Sequence, residues 1–354
     1  MPRSATAESR TSVIALQAYP KPSMSVEPAV AAPLRYLSTA AINACLPTVE
    51  ERVDLAQQAL VALARDDAEM PPKLGVHPRE GAFLHAMPAW LRSGDLVGLK
   101  WVSAFPGNKS RGLPAITGLI VLNDPETGLP TWVMDAGRIT AVRTAAVSGV
   151  AIRLLAPSDA SAVAILGAGV QARSHLEVVA ALLPRAEVRV HDRHPERAAT
   201  VAREAGAALG EERVRPARSV DEAVAGADVV ITVATLGAEA RRLEARDVAP
   251  GALVVAVDFA TYASPQLAES AAEFSVDDRG QFLRYRELGY FDGYREPTSM
   301  IGELVGRREQ LDRRREDGRP ALVTHLGVGL ADVVLADAVC RRAASAGQGQ
   351  ELER

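Results

Sequence analysis

Gly167-Ala168-Gly169-Val170-Gln171-Ala172 constrains this chain more than any other stretch. It follows the apolar run Ala162-Val163-Ala164-Ile165-Leu166, which predicts a buried strand. It opens into Gln171 to Leu183, where Leu176, Val179, Ala180 and Leu183 recur at helical spacing. Strand, glycine turn and helix, in that order, are the setting in which a Gly-x-Gly motif binds a dinucleotide. Gly167 allows the tight turn, Gly169 lets backbone approach the pyrophosphate, and small Ala172 lets the helix pack closely on the strand. Gln171 begins that helix, with Val170 just before it, and its free N–H groups and dipole favour phosphate. More than 160 residues precede the motif, so a separate unit is built before the cofactor domain begins.

The residues that follow keep the pattern. Glu187 to Asp192 reads as a second strand ending in an acid, about 25 residues beyond Gly167, where a carboxylate accepts the ribose hydroxyls. Further strands are predicted at Asp228–Val233 and Ala252–Val257, with helices at Glu196–Leu209 and Val220–Ala225 between them. This alternation predicts an α/β fold with a Rossmann-type, doubly wound parallel sheet. Thr232, Ala256 and Val257 then stand at the carboxyl ends of strands, where such sheets bind ligands. Asp192 favours NAD by repelling a 2′-phosphate, while Arg193 leaves NADP open. A structural α/β domain with an empty glycine turn is the alternative reading.

The 354 residues suffice for two domains. A net charge of −4 argues against a nucleic-acid partner. Arg307, Arg308, Arg313, Arg314 and Arg315 alternate with Glu309, Asp312, Glu316 and Asp317, which reads as a solvated helix face or loop. Cys45 and Cys340 form neither a disulfide framework nor a metal spacing, as in a reducing cytoplasm. No apolar run reaches the roughly 18 residues of a membrane span. Residues 1–33, rich in Ala, Ser and Pro, predict a mobile extension without a signal peptide, and residues 346–354 a loose tail.

Thr48 to Ala64 predicts an amphipathic helix. Short strands are expected at Gly81–Met87, Leu96–Ser103, Thr117–Leu122 and Thr131–Asp135, then a helix from Ile139 to Leu155. Two cations stand out. Lys100 lies in the apolar run Val97 to Val102, and Arg143 among Ala141, Val142, Ala145, Ala146 and Val147. Buried, the first serves as proton donor or acceptor and the second clamps a carboxylate. By residue type alone, the favoured reading is that strand alternation turns Lys100 to solvent and that Arg143 reaches out at a helix edge.

Gly98-Leu99-Lys100-Trp101-Val102, Pro106-Gly107-Asn108, Gly112-Leu113-Pro114, Leu122 to Gly128 and Ile139 to Ala146 carry a resemblance. With the glycine motif, Gly302-Glu303-Leu304 and Gly327 to Asp332, they make the chain similar to the ornithine cyclodeaminase/mu-crystallin family from about Leu34 to Arg342. The resemblance implies a homodimer of two-domain chains. It places an α+β substrate and dimerisation domain at 34–150 with 322–345, completed by a C-terminal helix, and the NAD(P) domain at 151–321. It further implies that Lys100 contacts substrate and exchanges protons with the reacting centre. Arg143 then lies by the substrate carboxylate and the cofactor, with Lys73 replacing a further arginine of the carboxylate site.

Three departures bear on the chemistry. The aspartate that acts in cyclodeamination falls on Ala260, which moves no proton; Asp258, two residues earlier on the same side of an extended segment, is the candidate substitute. His325 replaces a small polar residue near the nicotinamide and is a candidate acid or base, a packed histidine being the alternative. His85 stands on a site-facing strand where cyclodeaminases carry an acid, and His175 reads as structural. The expectation is an NAD(P)-dependent oxidoreductase acting at the C–N bond of a small amino or imino acid, without a metal. Its alternatives are an ornithine cyclodeaminase and a cofactor-binding accessory protein.

Overall fold

The computed structural model describes residues 33–235, 242–307, 311 and 317–353. Of the expected N-terminal extension only Pro33 falls within them, and Arg308 and Arg313–Arg315 of the arginine cluster lie outside. The chain opens with β1 (Leu34–Leu37), α1 (Thr39–Cys45) and α2 (Val49–Ala64). Thr48 and Glu51 form a reciprocal capping box at the start of α2. Then follow β2 (Ala68–Glu69), β3 (Leu74–Arg79), β4 (Ala82–Leu91), β5 (Leu96–Ala104), β6 (Ile116–Asn123), β7 (Pro130–Asp135) and the long helix α3 (Ala136–Leu155).

The second half runs β8 (Ala162–Leu166), α4 (Val170–Leu182), β9 (Glu187–His191), α5 (Pro195–Leu209), β10 (Val214–Pro216), α6 (Val220–Val224) and β11 (Val229–Thr232). It continues with β12 (Leu253–Ala256), α7 (Pro265–Ser270), β13 (Glu273–Val276), α8 (Arg279–Glu287), β14 (Ser299–Met300) and β15 (Ala321–Thr324). Helix α9 (Gly329–Ser345) and β16 (Gln350–Leu352) close the described chain.

The strands form two sheets. The first, ordered β16-β1-β7-β6-β5-β4-β2 with β3 on β4, is mainly antiparallel; the second, β10-β9-β8-β11-β12-β15-β13-β14, is parallel throughout. Strands β8, β11, β12 and β15 are mostly apolar runs, as a sheet covered on both faces requires, and β13, which carries Glu273 and Ser275, is buried with them. Helix α3 packs against α2, α4, α9 and β6, which buries it on nearly every side and joins the two sheets through one continuous core.

One boundary differs from expectation. Ala321–Thr324 completes the parallel sheet between β12 and β13, so the return to the first unit comes after Thr324 and not before residue 322. Helix α3 runs unbroken past 150 to Leu155, its expected end, and the Ala156-Pro157-Ser158 linker follows it. The tail is not loose: Gln350, Glu351 and Leu352 pair antiparallel with Tyr36, Arg35 and Leu34, and Arg35 meets Glu351 at 3.0 Å. Such a polar strand is stabilised by pairing with a distant edge, which no local pattern announces.

Candidate active site

Strand alternation on β5 turns Gly98, Lys100 and Val102 inward and Trp101 outward, and Lys100 stands between Met87 of β4 and Ile120 of β6. Its side chain is 1% exposed. Lys100 Nζ donates to Asp332 Oδ2 at 2.6 Å, and Arg143 Nε donates to Asp332 Oδ1 at 3.0 Å. Three elements thus bring two cations onto one fully buried carboxylate, and neither cation points to solvent. Burial and the Arg143 charge pull the Lys100 ammonium down to about 7, against the opposing pull of Asp332. The sequence reading missed Asp332. Its signal is an acid in the apolar run Gly329-Leu330-Ala331-Asp332-Val333-Val334-Leu335, which cannot be buried without a partner.

Beside this centre, the turn after β15 passes under Arg143. Gly327 has φ +86°, and a Cβ there would sit 2.6 Å from Arg143 Nη1, so only glycine lets the guanidinium lie on the backbone. Asp277 accepts the Gly327 N–H at 2.7 Å, and Gln281 Nε2 donates to its carbonyl at 3.2 Å. Lys73 Nζ donates to the Leu326 carbonyl at 2.5 Å and stands 5.6 Å from the Tyr285 ring centre. Burial lowers Lys73 to about 8, with Asp277 acting against it. Arg143 Nη1 is buried with no partner in the protein, a donor available to a bound anion.

His85 pairs with Val102 and so shares the inward face with Lys100. Its ring stacks on Phe83 at 4.1 Å, and burial with the charge of Lys73 lowers it to about 4, leaving it neutral. His325, expected as an acid or base, is buried and held well below the usual histidine range by desolvation, so it does not exchange protons near neutral pH. Its Nε2 meets Ser148 Oγ at 2.8 Å.

The glycine turn fits a dinucleotide. Gly167 has φ +121°, and a Cβ there would lie 2.7 Å from the Val233 carbonyl; at Gly169 a Cβ would meet nothing within 4 Å, which leaves backbone open for close approach. Val170 is 68% exposed at the first turn of α4, and Gln171 follows it half-buried. Asp192 caps the turn, accepting from Ala168 N and His194 N at 2.9 Å each, and each oxygen retains a lone pair for a hydroxyl. Arg193 is exposed beside it. Thr232 and Ala256 are buried, and the Ala256 carbonyl is taken by Thr324 Oγ1 and His325 N. Val257 is half-buried.

The structure does not bring Asp258 to Lys100. Its oxygens accept from Thr232 Oγ1 at 2.6 Å and Ala234 N at 3.1 Å, so it ties the end of β12 to the loop after β11. Desolvation raises it to about 6. Among the described residues no group of three or more His, Cys, Asp or Glu side chains could hold a metal ion.

The sequence model for the ornithine cyclodeaminase/mu-crystallin family matches residues 36–346. The chain belongs to that family. A nodulation efficiency protein NfeD of Rhizobium meliloti is 34% identical over 325 residues, covering 90% of this chain and 98% of the relative. An alanine dehydrogenase of Archaeoglobus fulgidus is 29% identical, with 87% and 95% covered. Among solved structures, the Δ1-pyrroline-2-carboxylate reductase of Thermococcus litoralis, in complex with NADH and L-proline, superposes with a TM-score of 0.79 at 27% identity, covering 90% of this chain and 100% of that one. Within this chain the structure joins Lys100 and Arg143 through Asp332, the carboxylate that both share.

Proposed function

We propose that this family member is an NAD-dependent oxidoreductase that reduces the C=N bond of a small imino acid, or oxidises the matching amino acid. The observation that carries this is the Lys100–Asp332–Arg143 centre, set against the Gly327 turn at the carboxyl edge of the parallel sheet. Bound nicotinamide supplies or accepts the hydride at the substrate α-carbon. Arg143, through its unpartnered Nη1, and Lys73 hold the substrate carboxylate and so fix the α-carbon. Lys100 gives a proton from Nζ to the imine nitrogen; the C=N π pair moves onto nitrogen as the hydride forms the new C–H bond. The reverse direction returns that proton to Lys100.

The glycine turn, with Gly167, Gly169, Val170, Gln171 and Asp192, holds the dinucleotide. Asp192 sets the preference for NAD, with Arg193 beside it placed to receive an NADP phosphate. An alanine at 260 disfavours cyclodeamination, which needs a proton-moving acid there. A pure binding role leaves the buried proton donor at Lys100 without a purpose. The outward face of the first sheet exposes Leu74, Val76, Trp101 and Leu119, an apolar surface suited to a second copy of this chain. Among the described residues no helix is long and apolar enough to cross a membrane, and Cys45 and Cys340 are free and buried, which supports a reducing, cytoplasmic setting.

The deciding experiment follows NADH consumption with cyclic imines, and with 2-oxo acids plus ammonia or amines. Turnover with one of these classes is expected. Tight NADH binding with no turnover across the panel would replace the reading with an accessory role. Ammonia release from ornithine without net NADH change would restore the cyclodeaminase.

A further inference from the structure

A chain of buried polar side chains runs through α3 and is used by none of the steps above. His175 Nδ1 lies 2.7 Å from the Gln171 carbonyl, His175 Nε2 2.8 Å from Ser148 Oγ, and Ser148 Oγ 2.8 Å from His325 Nε2. The chain joins the first turn of α4, where the dinucleotide phosphates are expected, to the residue that follows β15. All three side chains are at most 1% exposed.

The direction of every hydrogen bond in this chain is fixed by its end. A carbonyl only accepts, so His175 Nδ1 carries a hydrogen and donates to Gln171. Neutral His175 then has a bare Nε2, which accepts from the Ser148 hydroxyl. The Ser148 oxygen in turn accepts from His325 Nε2. His325 is therefore the Nε2–H tautomer, and its Nδ1 is a bare lone pair. Both rings are kept neutral by burial, so the assignment does not change over the working pH range.

That lone pair has no partner in the protein and is sealed from solvent. A buried acceptor left unmade is costly, and native structures rarely keep one without a ligand, water or functional reason. A second unpartnered group, the Arg143 Nη1 donor, lies against Gly327, two residues along the same turn. A ligand that meets both must bring an anion for Arg143 and an N–H for His325. An oxygen with no hydrogen at the second position would face the lone pair and be repelled.

We propose that His325 is a tautomer-locked acceptor whose Nδ1 receives an N–H of a bound ligand, from the nicotinamide carboxamide or from the reacting nitrogen of the substrate. The proposal rests on the cofactor and substrate classes given above, and it goes beyond them by assigning which ligand atom is read. The side chains over Nδ1 must part when the ligand enters. His325 thus orients a ligand and moves no proton.

Two ligand pairs separate the sources. Dissociation constants are measured for NADH against its acetylpyridine analogue, in which a methyl group replaces the amide NH2. With cofactor bound, they are measured for L-proline against tetrahydrofuran carboxylate, in which oxygen replaces the ring N–H. The wild type should prefer the N–H member of one pair by about tenfold, the size of one hydrogen bond. His325→Ala should lower that preference by about tenfold, the share of one hydrogen bond, and leave the other pair unchanged. Ser148→Ala releases Nε2, lets the ring change tautomer, and should shrink the same preference without touching the ligand. His325→Asn, which puts an amide oxygen near Nδ1, should restore part of it. A wild type that binds NADH yet shows no preference within either pair overturns the acceptor and leaves the cofactor reading standing. Equal preferences in wild type and Ser148→Ala overturn the lock.

Discussion

The turn between β8 and α4 and the centre around Asp332 are built by opposite means. The turn is six consecutive residues, Gly167 to Ala172, and its shape comes from backbone: a positive φ at Gly167 and open space at Gly169. The centre gathers side chains from β5, α3 and α9, with Lys100 and Asp332 separated by 232 positions in sequence and Arg143 and Asp332 by 189. A backbone cradle fails when a side chain is added. A charge cluster fails when one is removed, because what remains is a charge without a counterion in a low-dielectric interior. The two regions should therefore respond to mutation differently, with affinity lost at the open position of the turn, Gly169, and stability with turnover lost at the centre.

The largest effect is expected at Asp332. Asp332→Ala strands two buried cations and should cost about 3–5 kcal/mol of stability, as breaking a buried pair does, together with nearly all turnover. Urea unfolding measures the first and NADH consumption the second. A double-mutant cycle sharpens the point: Lys100→Met added to Asp332→Ala should recover part of the lost stability by removing one stranded charge. A loss below about 1 kcal/mol for Asp332→Ala would mean that the centre behaves like a surface pair, and the contrast with the turn would collapse.

Lys100→Met keeps the length of the side chain and removes its proton. Turnover should fall by about 10²–10⁴-fold, the usual worth of a positioned acid or base, while NADH affinity stays nearly intact. The pH profile gives the sign. With Lys100 near 7, the ammonium is present below that value, so imine reduction should decline as pH rises through about 7 and amine oxidation should rise. In Lys100→Met this limb should vanish. Unchanged turnover in the variant would remove Lys100 from the chemistry.

What the sequence made legible follows the same division. Ala162–Leu166 is the strand it announced, and α4 starts within a residue of the expected position, because glycine, apolar run and helical period are all local signals. Lys100 and Arg143 stood out as charges in apolar runs, yet their shared partner did not, since contact across two hundred residues leaves no spacing to read. The same holds for β16, whose partner β1 lies at the other end of the described chain, and for β15, an apolar run that fits either unit until its neighbours are known. Asp258 shows the converse. Sequence placed an acid at the right end of the right strand, but Thr232 and Ala234 hold its carboxylate at β11, which only the tertiary arrangement decides.

At the turn, Gly169→Ala and Gly167→Ala should part company. The first adds a methyl group into open space at an ordinary backbone angle. Stability should hold, while NADH affinity falls about tenfold as the pyrophosphate is pushed from the backbone. The second forces a Cβ to 2.7 Å from the Val233 carbonyl at φ +121°, and should cost about 1–3 kcal/mol of stability whether or not cofactor is added. Calorimetry with and without NADH separates the two. Equal destabilisation by both would mean that Gly169 is needed by the fold and not by a ligand.

The smallest effect is expected at Asp258. Its carboxylate accepts a hydroxyl and an N–H, and an asparagine replaces both bonds: the amide oxygen accepts from Ala234, and the amide nitrogen donates to the Thr232 oxygen. Asp258→Asn should therefore keep turnover within about threefold of wild type, where loss of a proton-moving acid would cost a hundredfold or more. Stability gives a second readout with a definite sign. Desolvation raises Asp258 from its ordinary 3.8 to about 6, so the folded chain holds this proton more tightly than the unfolded one. Wild-type stability from this group is thus fully present below about 4 and is lost as pH rises through about 6. The asparagine variant has no such loss, and its stability relative to wild type should climb between those values and then level off. A hundredfold loss of turnover would instead return Asp258 to the reaction, as the acid that Ala260 cannot be.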